Sequence, residues 1–179
     1  MRLGAAGAEL VLLARDAVAL GRVADGIRAA GGSARVIAVD LRDAEATTAA
    51  ADRILTEVGP PALVLANAGH SIHRAALQSA ERAHDAHRLV AVNHLGHVGL
   101  LLHLLPSMTA TGRGRVGVSS SAALAVPTPG WAAYAASKAA VVRLMETLAE
   151  ELKPHGIDVN AVAPGALKTR LVEQVLAAG

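Results

Sequence analysis

The only tyrosine of the chain, Tyr134, stands four residues before Lys138 and thirteen residues after Ser121. From Trp131 onward the sequence is Ala-rich and reads as a helix, so an i, i+4 pair shares one face. A free phenol titrates near 10 and is a poor acid or base at neutral pH. An ammonium beside it favours the phenolate. Bringing such a group to about 7 takes roughly 4 kcal/mol, within reach of one or two cations in a dry site. The pair therefore suits proton transfer in an alcohol–carbonyl interconversion. Tyr-x-x-x-Lys alone is equally compatible with an interfacial Tyr and a solvated Lys at a helix start. Ser121 adds weight, because it closes Val116-Gly117-Val118-Ser119-Ser120-Ser121, an apolar strand ending in small polar residues. Open α/β sheets place ligands at such strand ends.

The elements that must carry these residues follow from periodicity and punctuation. Strand-like apolar runs are Glu9–Ala14, Ala34–Val39, Ala62–Ala66, Arg115–Ser119 and Ile157–Ala161. Between them lie helical patterns from Asp16 to about Ala30, from the Asp43 cap to about Val58, from about Ser79 to Leu105, and from Trp131 to about Leu152, with a last one from about Lys168. Gly31-Gly32 and Gly59-Pro60-Pro61 stop the first two. Short buried strands alternating with helices predict an α/β fold with a Rossmann-like, doubly wound parallel sheet in a single domain, residues 1–179.

Composition narrows the function classes. The 179 residues are 53% hydrophobic but include no Phe, one Trp and one Tyr, so the core must be Ala, Val and Leu. A formal charge of +2 and the absence of an Arg/Lys run give no footprint for nucleic acid. With no cysteine there is no disulfide, thiolate metal site or thiol nucleophile. No secretory leader pattern opens the chain, which makes a cytoplasmic location the expectation. Residues 89–111 lack Asp, Glu, Lys and Arg and are long enough to span a membrane. Asn93, His94, His97, His103 and Pro106 make that costly. A helix buried between the sheet and a partner subunit fits better, and no membrane partner is expected.

At several independent places the chain resembles the short-chain dehydrogenase/reductase family, over nearly its whole length. Besides Ser121, Tyr134 and Lys138 it has Asn67-Ala68-Gly69 after a strand and Asn93 in Val92-Asn93-His94-Leu95-Gly96. It also has Val159-Asn160-Ala161-Val162-Ala163-Pro164-Gly165, followed by Thr169. The resemblance implies that Tyr134 is the general acid in carbonyl reduction and the base in alcohol oxidation. It implies that Lys138 assists Tyr134 and binds the nicotinamide ribose, and that Ser121 holds the substrate oxygen. Asn93, through a backbone distortion in its helix, would hold a water leading from Lys138 to solvent; by itself it could be a helix–helix hydrogen bond. Asn67, Ala68, Gly69, Pro164, Gly165, Leu167 and Thr169 would line the cofactor, and Asp40 would meet the adenine. The substrate would be a small carbonyl or alcohol, and assembly a homodimer or homotetramer through the long helix and the Tyr134 helix.

Cofactor choice rests on the end of the strand Glu9–Ala14. Folds preferring the unphosphorylated dinucleotide place an acid there, on the ribose hydroxyls. Here Ala14 occupies that place and Arg15 follows, which suits a 2′-phosphate and predicts NADP(H) over NAD(H). The alternative is a solvated Arg15 at a helix entry. Asp16 fits the N-cap of the following helix better than a ribose contact.

Two departures from the family stand out. The first strand and its Thr-Gly-x-x-x-Gly-x-Gly turn, on the order of 20 to 25 residues, are missing. Residues 1–8 look like the end of the first helix, and Gly4 and Gly7 cannot replace the turn. In the strand order 3-2-1-4-5-6 that strand is central, so its neighbours should have unpaired edges. The C-terminal lid and last strand are missing as well. The expectation is a truncated reading of a longer gene, or a fragment, with a catalytically silent binding partner as the alternative. Ala66 stands where asparagine is usual. Finally, His70/His73, His84/His87 and His94/His97 have i, i+3 spacing that can chelate a metal. No carboxylate signature accompanies them; surface or interface histidines are expected and no metal, with His70 near the substrate.

Overall fold

A computed structural model describes residues 2–121, 124 and 126–164. A helical turn α1 (Arg2–Ala5) leads into β1 (Glu9–Ala14), α2 (Ala17–Ala29), β2 (Ser33–Ala38), α3 (Ala44–Glu57) and β3 (Leu63–Ala66). The long helical stretch then runs as a 3-10 segment (Ala76–Arg82), α4 (Ala83–Val90), a π-turn (Ala91–Leu95) and α5 (Gly96–Ala110). It is followed by β4 (Gly114–Ser119), α6 (Ala132–Leu152) and β5 (Ile157–Val162).

Side-chain chemistry sets these boundaries locally. Asp16 and Asp43 cap α2 and α3, each carboxylate accepting from a backbone N–H 2.9 Å away at Ala19 and Ala46. Such caps are each worth about 1 kcal/mol. Asp16 is thus occupied as a cap, as its position suggests.

All strand pairs are parallel. Strict alternation sends β1 and β2 to two helix layers. Leu10, Leu12, Ala34 and Val36 pack with Ala24 and Ile27 of α2. Val11, Leu13, Ile37 and Val39 instead join the main core under α3, α5 and α6. That core continues through Val64 and Ala66, Val116 and Val118, and Ile157. Burying one Leu or Val side chain contributes about 1.5–3 kcal/mol, so this layer dominates stability.

The sheet is in two pieces. β1 pairs with β2, while β3, β4 and β5 form a separate ladder; no β1–β3 ladder occurs among the described residues. Leu63 and Leu65 of β3 accordingly present side chains that are 42% and 59% exposed. The core nevertheless runs across the break, because Val11 and Leu13 contact the same cluster as Val64 and Ala66.

The long helix runs further than the 79–105 expected, and it is distorted at Asn93 as the family resemblance implied. It spans 76–110 and contains a π-turn centred on Asn93. The stretch is apolar and long enough to cross a membrane by length and composition. Leu89, Leu101, Leu104 and Met108 are nonetheless fully buried in the protein core. Gly96 lets this helix close on the loop after β2, since a Cβ there would sit 2.5 Å from the Leu41 carbonyl oxygen. Residues 165–179, which carry the last expected helix, lie outside the described residues.

Candidate active site

Tyr134, Ser137 and Lys138 are buried on one face of α6, as their i, i+3, i+4 spacing requires. Lys138 Nζ donates to the Ser119 carbonyl oxygen at 2.7 Å. That oxygen lies at the C-terminal end of β4, two residues before Ser121. Burial of the ammonium holds Lys138 below the usual lysine range. Ser121 is half-buried just beyond the strand, and its carbonyl accepts from Leu124 N–H at 3.2 Å.

Asn93 is fully buried and ties three elements together. Its Oδ1 accepts from His70 N–H at 2.8 Å, and its Nδ2 donates to the His70 carbonyl at 2.9 Å. The same Nδ2 donates to Ser137 Oγ at 2.9 Å, and Ser137 donates to the Tyr134 carbonyl at 2.7 Å. The π-turn adds one residue to the local repeat and directs Asn93 inward. Ser137 was not singled out by the sequence reasoning; its place between Tyr134 and Lys138 was the available signal. Gly69 is close by: a Cβ on it would lie 3.5 Å from both Asn93 Oδ1 and Lys138 Nζ.

An aromatic row flanks Tyr134. Trp131 meets it edge-on at 5.3 Å between ring centroids, and His73 is tilted against Trp131 at 5.4 Å. Arg74 N–H donates to the Gly130 carbonyl at 2.8 Å, and Arg74 Nε pairs with Asp85 at 3.1 Å. Loop 70–74 is thus strapped to both α4 and the entry of α6. Gly130 has φ +80, and a Cβ there would be 2.3 Å from His73 Nε2, so both backbone and space require glycine.

Three histidines are perturbed by their surroundings, His94 by burial alone. Burial lowers His70 below its usual value, with Arg88, Arg15 and Arg42 acting the same way. His97 is pushed down to about 4, first by burial and then by the Lys138 charge. Neither His97 nitrogen has a hydrogen-bond partner; the Ala68 backbone pulls the other way but lies outside hydrogen-bond geometry. No group of three His, Asp or Glu side chains among the described residues is placed to hold a metal ion.

Four of the cofactor residues expected from the sequence, Arg15, Asp40, Ala68 and Gly69, gather in a cleft of about 220 Å³ at the C-terminal ends of β1, β2 and β3. Arg15, Asp40, Ala68, Gly69, His70 and Arg88 line it, over an apolar floor that includes Leu13 and Val39. Asp40 is held down to about 2 mainly by its hydrogen bonds from Arg42. Asn67 is exposed immediately beyond β3, and Pro164 is exposed two residues beyond β5. Gly165, Leu167 and Thr169 lie outside the described residues. A cationic wall, an apolar floor and small residues on the path to Lys138 fit the adenosine half of a dinucleotide. Arg88 was not identified by sequence reasoning, because a lone arginine in a helix carries no signal.

The model of the short chain dehydrogenase family matches residues 1–178. The chain belongs to this family. A fatty acyl-CoA reductase of Acinetobacter baylyi is 34% identical over 172 residues, covering 96% of this chain and 58% of that protein. A metagenomic short-chain oxidoreductase solved with NADP is 36% identical, with TM-score 0.87, covering 99% of this chain and 80% of the other. An NAD+-bound xylitol dehydrogenase superposes with TM-score 0.90 at 28% identity, covering 98% and 67%. The chain therefore shares the ancestry of the NAD(P)-dependent oxidoreductases of this family and has their Rossmann-like fold. It spans little more than half the length of the curated relatives it matches first, at 58% and 51%. One neighbour carries NADP and another NAD+, so the likeness alone leaves cofactor choice open.

Proposed function

We propose that this chain carries the alcohol–carbonyl oxidoreductase site of a short-chain dehydrogenase, with NADP(H) preferred. The observation that carries the reading is the convergence on α6. Tyr134 and Lys138 share its buried face, Lys138 is anchored to the end of β4, and Asn93 fixes the helix through Ser137.

Tyr134 gives a proton to the carbonyl oxygen in reduction and takes one from the alcohol in oxidation. Lys138 shares the buried face of α6 with Tyr134 and binds the nicotinamide ribose. Ser121 holds the substrate oxygen near Tyr134, and Asn93 holds a water that links Lys138 to solvent for proton resupply. The nicotinamide cofactor supplies the hydride. Arg15, Asp40, Asn67, Ala68 and Gly69 bind its adenosine side, while Pro164, Gly165, Leu167 and Thr169 serve the nicotinamide side. The substrate is a small carbonyl or alcohol. A homodimer or homotetramer in the cytoplasm accompanies this reading.

The preference for NADP(H) rests on Arg15 at the mouth of the cleft and on Ala14 where an acid would select the unphosphorylated ribose. Fluorescence titration of the chain with NADPH and NADH tests it, followed by turnover on a panel of ketones and aldehydes. NADPH should bind more tightly. Tyr134→Phe should cut turnover at least about 100-fold while NADPH affinity stays within a few fold. Full turnover by that variant would defeat the mechanism.

One observation favours a second reading, a catalytically silent binding partner: the break between β1 and β3 leaves two unpaired strand edges beside the cleft. Failure of the chain to bind either nicotinamide cofactor would decide for it.

A further inference from the structure

Arg88 and Arg15 enter the same cleft from different elements, one from α4 and the other from the residue after β1. Neither makes an ion pair or a side-chain hydrogen bond among the described residues. The one acid lining the cleft, Asp40, is occupied by Arg42, which donates to both carboxylate oxygens. Arg42 takes up most of the Asp40 charge and Arg15 also acts on it, while Arg88 has no acid beside it in the lining, so the cleft stays net positive. His70 lies between these fields, since both arginines act on its ring. Leu13, Ala14, Val39, Leu41 and Val92 supply the apolar part of the same lining.

We infer that Arg88 is a specificity-determining residue that, with Arg15, clamps the 2′-phosphate of an adenosine nucleotide lying on this apolar floor. The inference deepens the NADP(H) reading above and rests on it. A phosphate monoester carries about −1.5 to −2 at neutral pH, which one guanidinium leaves partly uncompensated and two match. Guanidinium–phosphate contacts are charge-assisted and directional, so a pair from two walls fixes the phosphate position as well as its charge. A cofactor with a free 2′-hydroxyl offers the clamp nothing, and both arginines then remain solvated.

The test uses adenosine 2′-monophosphate and adenosine 5′-monophosphate as probes, titrated calorimetrically into the chain. Neither contains nicotinamide or pyrophosphate, so the readout is independent of turnover and of pyrophosphate binding. The unaltered chain should bind the 2′-phosphate about 10-fold or more tightly than the 5′ isomer. Arg88→Gln and Arg15→Gln should each weaken the 2′ isomer about 10- to 100-fold, leaving the 5′ isomer within about 3-fold. Arg88→Lys should keep part of the affinity, because charge survives without the fork. Arg113→Gln, which removes a charge at the opposite end of the sheet just before β4, should change nothing.

Unchanged 2′-phosphate binding in Arg88→Gln would overturn the inference. So would an equal loss for both isomers, which would assign Arg88 to a part common to all adenosine nucleotides. Absence of 2′-phosphate binding by the unaltered chain would overturn it as well. The NADP(H) reading fails separately, if the unaltered chain binds NADH more tightly than NADPH. If NADPH is preferred and only Arg15→Gln abolishes the preference, that reading stands and the role of Arg88 falls.

Discussion

Acid sensitivity through His97 can be worked out quantitatively. The ring is 1% exposed and its folded value is about 4, against about 6.5 for a free imidazole. As pH falls, the unfolded chain takes up a proton first, so folding stability falls with it. The contribution is fully present above pH 6.5 and is lost progressively down to about pH 4. The span is 6.5 − 4 = 2.5 pH units, at 1.36 kcal/mol each, or about 3 kcal/mol in all. Between pH 7.5 and 5.0 the loss is about 2 kcal/mol, which for a domain of this size lowers Tm by roughly 4–8 °C. Thermal melts of the chain and of His97→Gln, at both pH values, isolate this contribution. His70 and His94 are also depressed by burial and act in the same direction, but they are common to both proteins and cancel in the difference. The variant should lose about 2 kcal/mol less than the parent on acidification. Equal acid losses in the two proteins would refute the argument, whatever the stability of the variant at pH 7.5.

Two further outcomes follow from packing and hydrogen bonding. Gly96→Ala drives a Cβ against the Leu41 backbone, and helix propensity cannot compensate for moving backbone. Urea melts should show a loss of about 1–3 kcal/mol, and a stabilised variant would contradict the close approach. Asn93→Ala removes three hydrogen bonds and leaves the His70 backbone groups without partners. It should cost about 2–4 kcal/mol and speed hydrogen exchange at the His70 amide; unchanged protection there would show that Asn93 does not hold the loop.

Much of the local structure was legible from side-chain chemistry. Asp16 and Asp43 cap helices where their spacing to the following apolar pattern put them, and β1 spans the expected Glu9–Ala14. The structure brings Arg15, Asp40, Ala68 and Gly69 to one cleft. The distortion of the long helix at Asn93 was implied by the family resemblance, but its π-turn form was not legible. A π-turn depends on what Asn93 meets across 23 and 44 residues of chain, at His70 and Ser137.

Periodicity and spacing by themselves determined the alternation of strands and helices and the shared face of Tyr134 and Lys138. These depend on helix and strand repeats, which neighbouring residues set. Tertiary structure alone decided that Ser119 receives Lys138, that His97 is buried beside that ammonium, and that Arg88 meets Arg15 in one cleft. It also decided that the core continues past a broken ladder, because hydrophobic packing joins any apolar faces in contact, whereas strand pairing needs an adjacent, aligned edge.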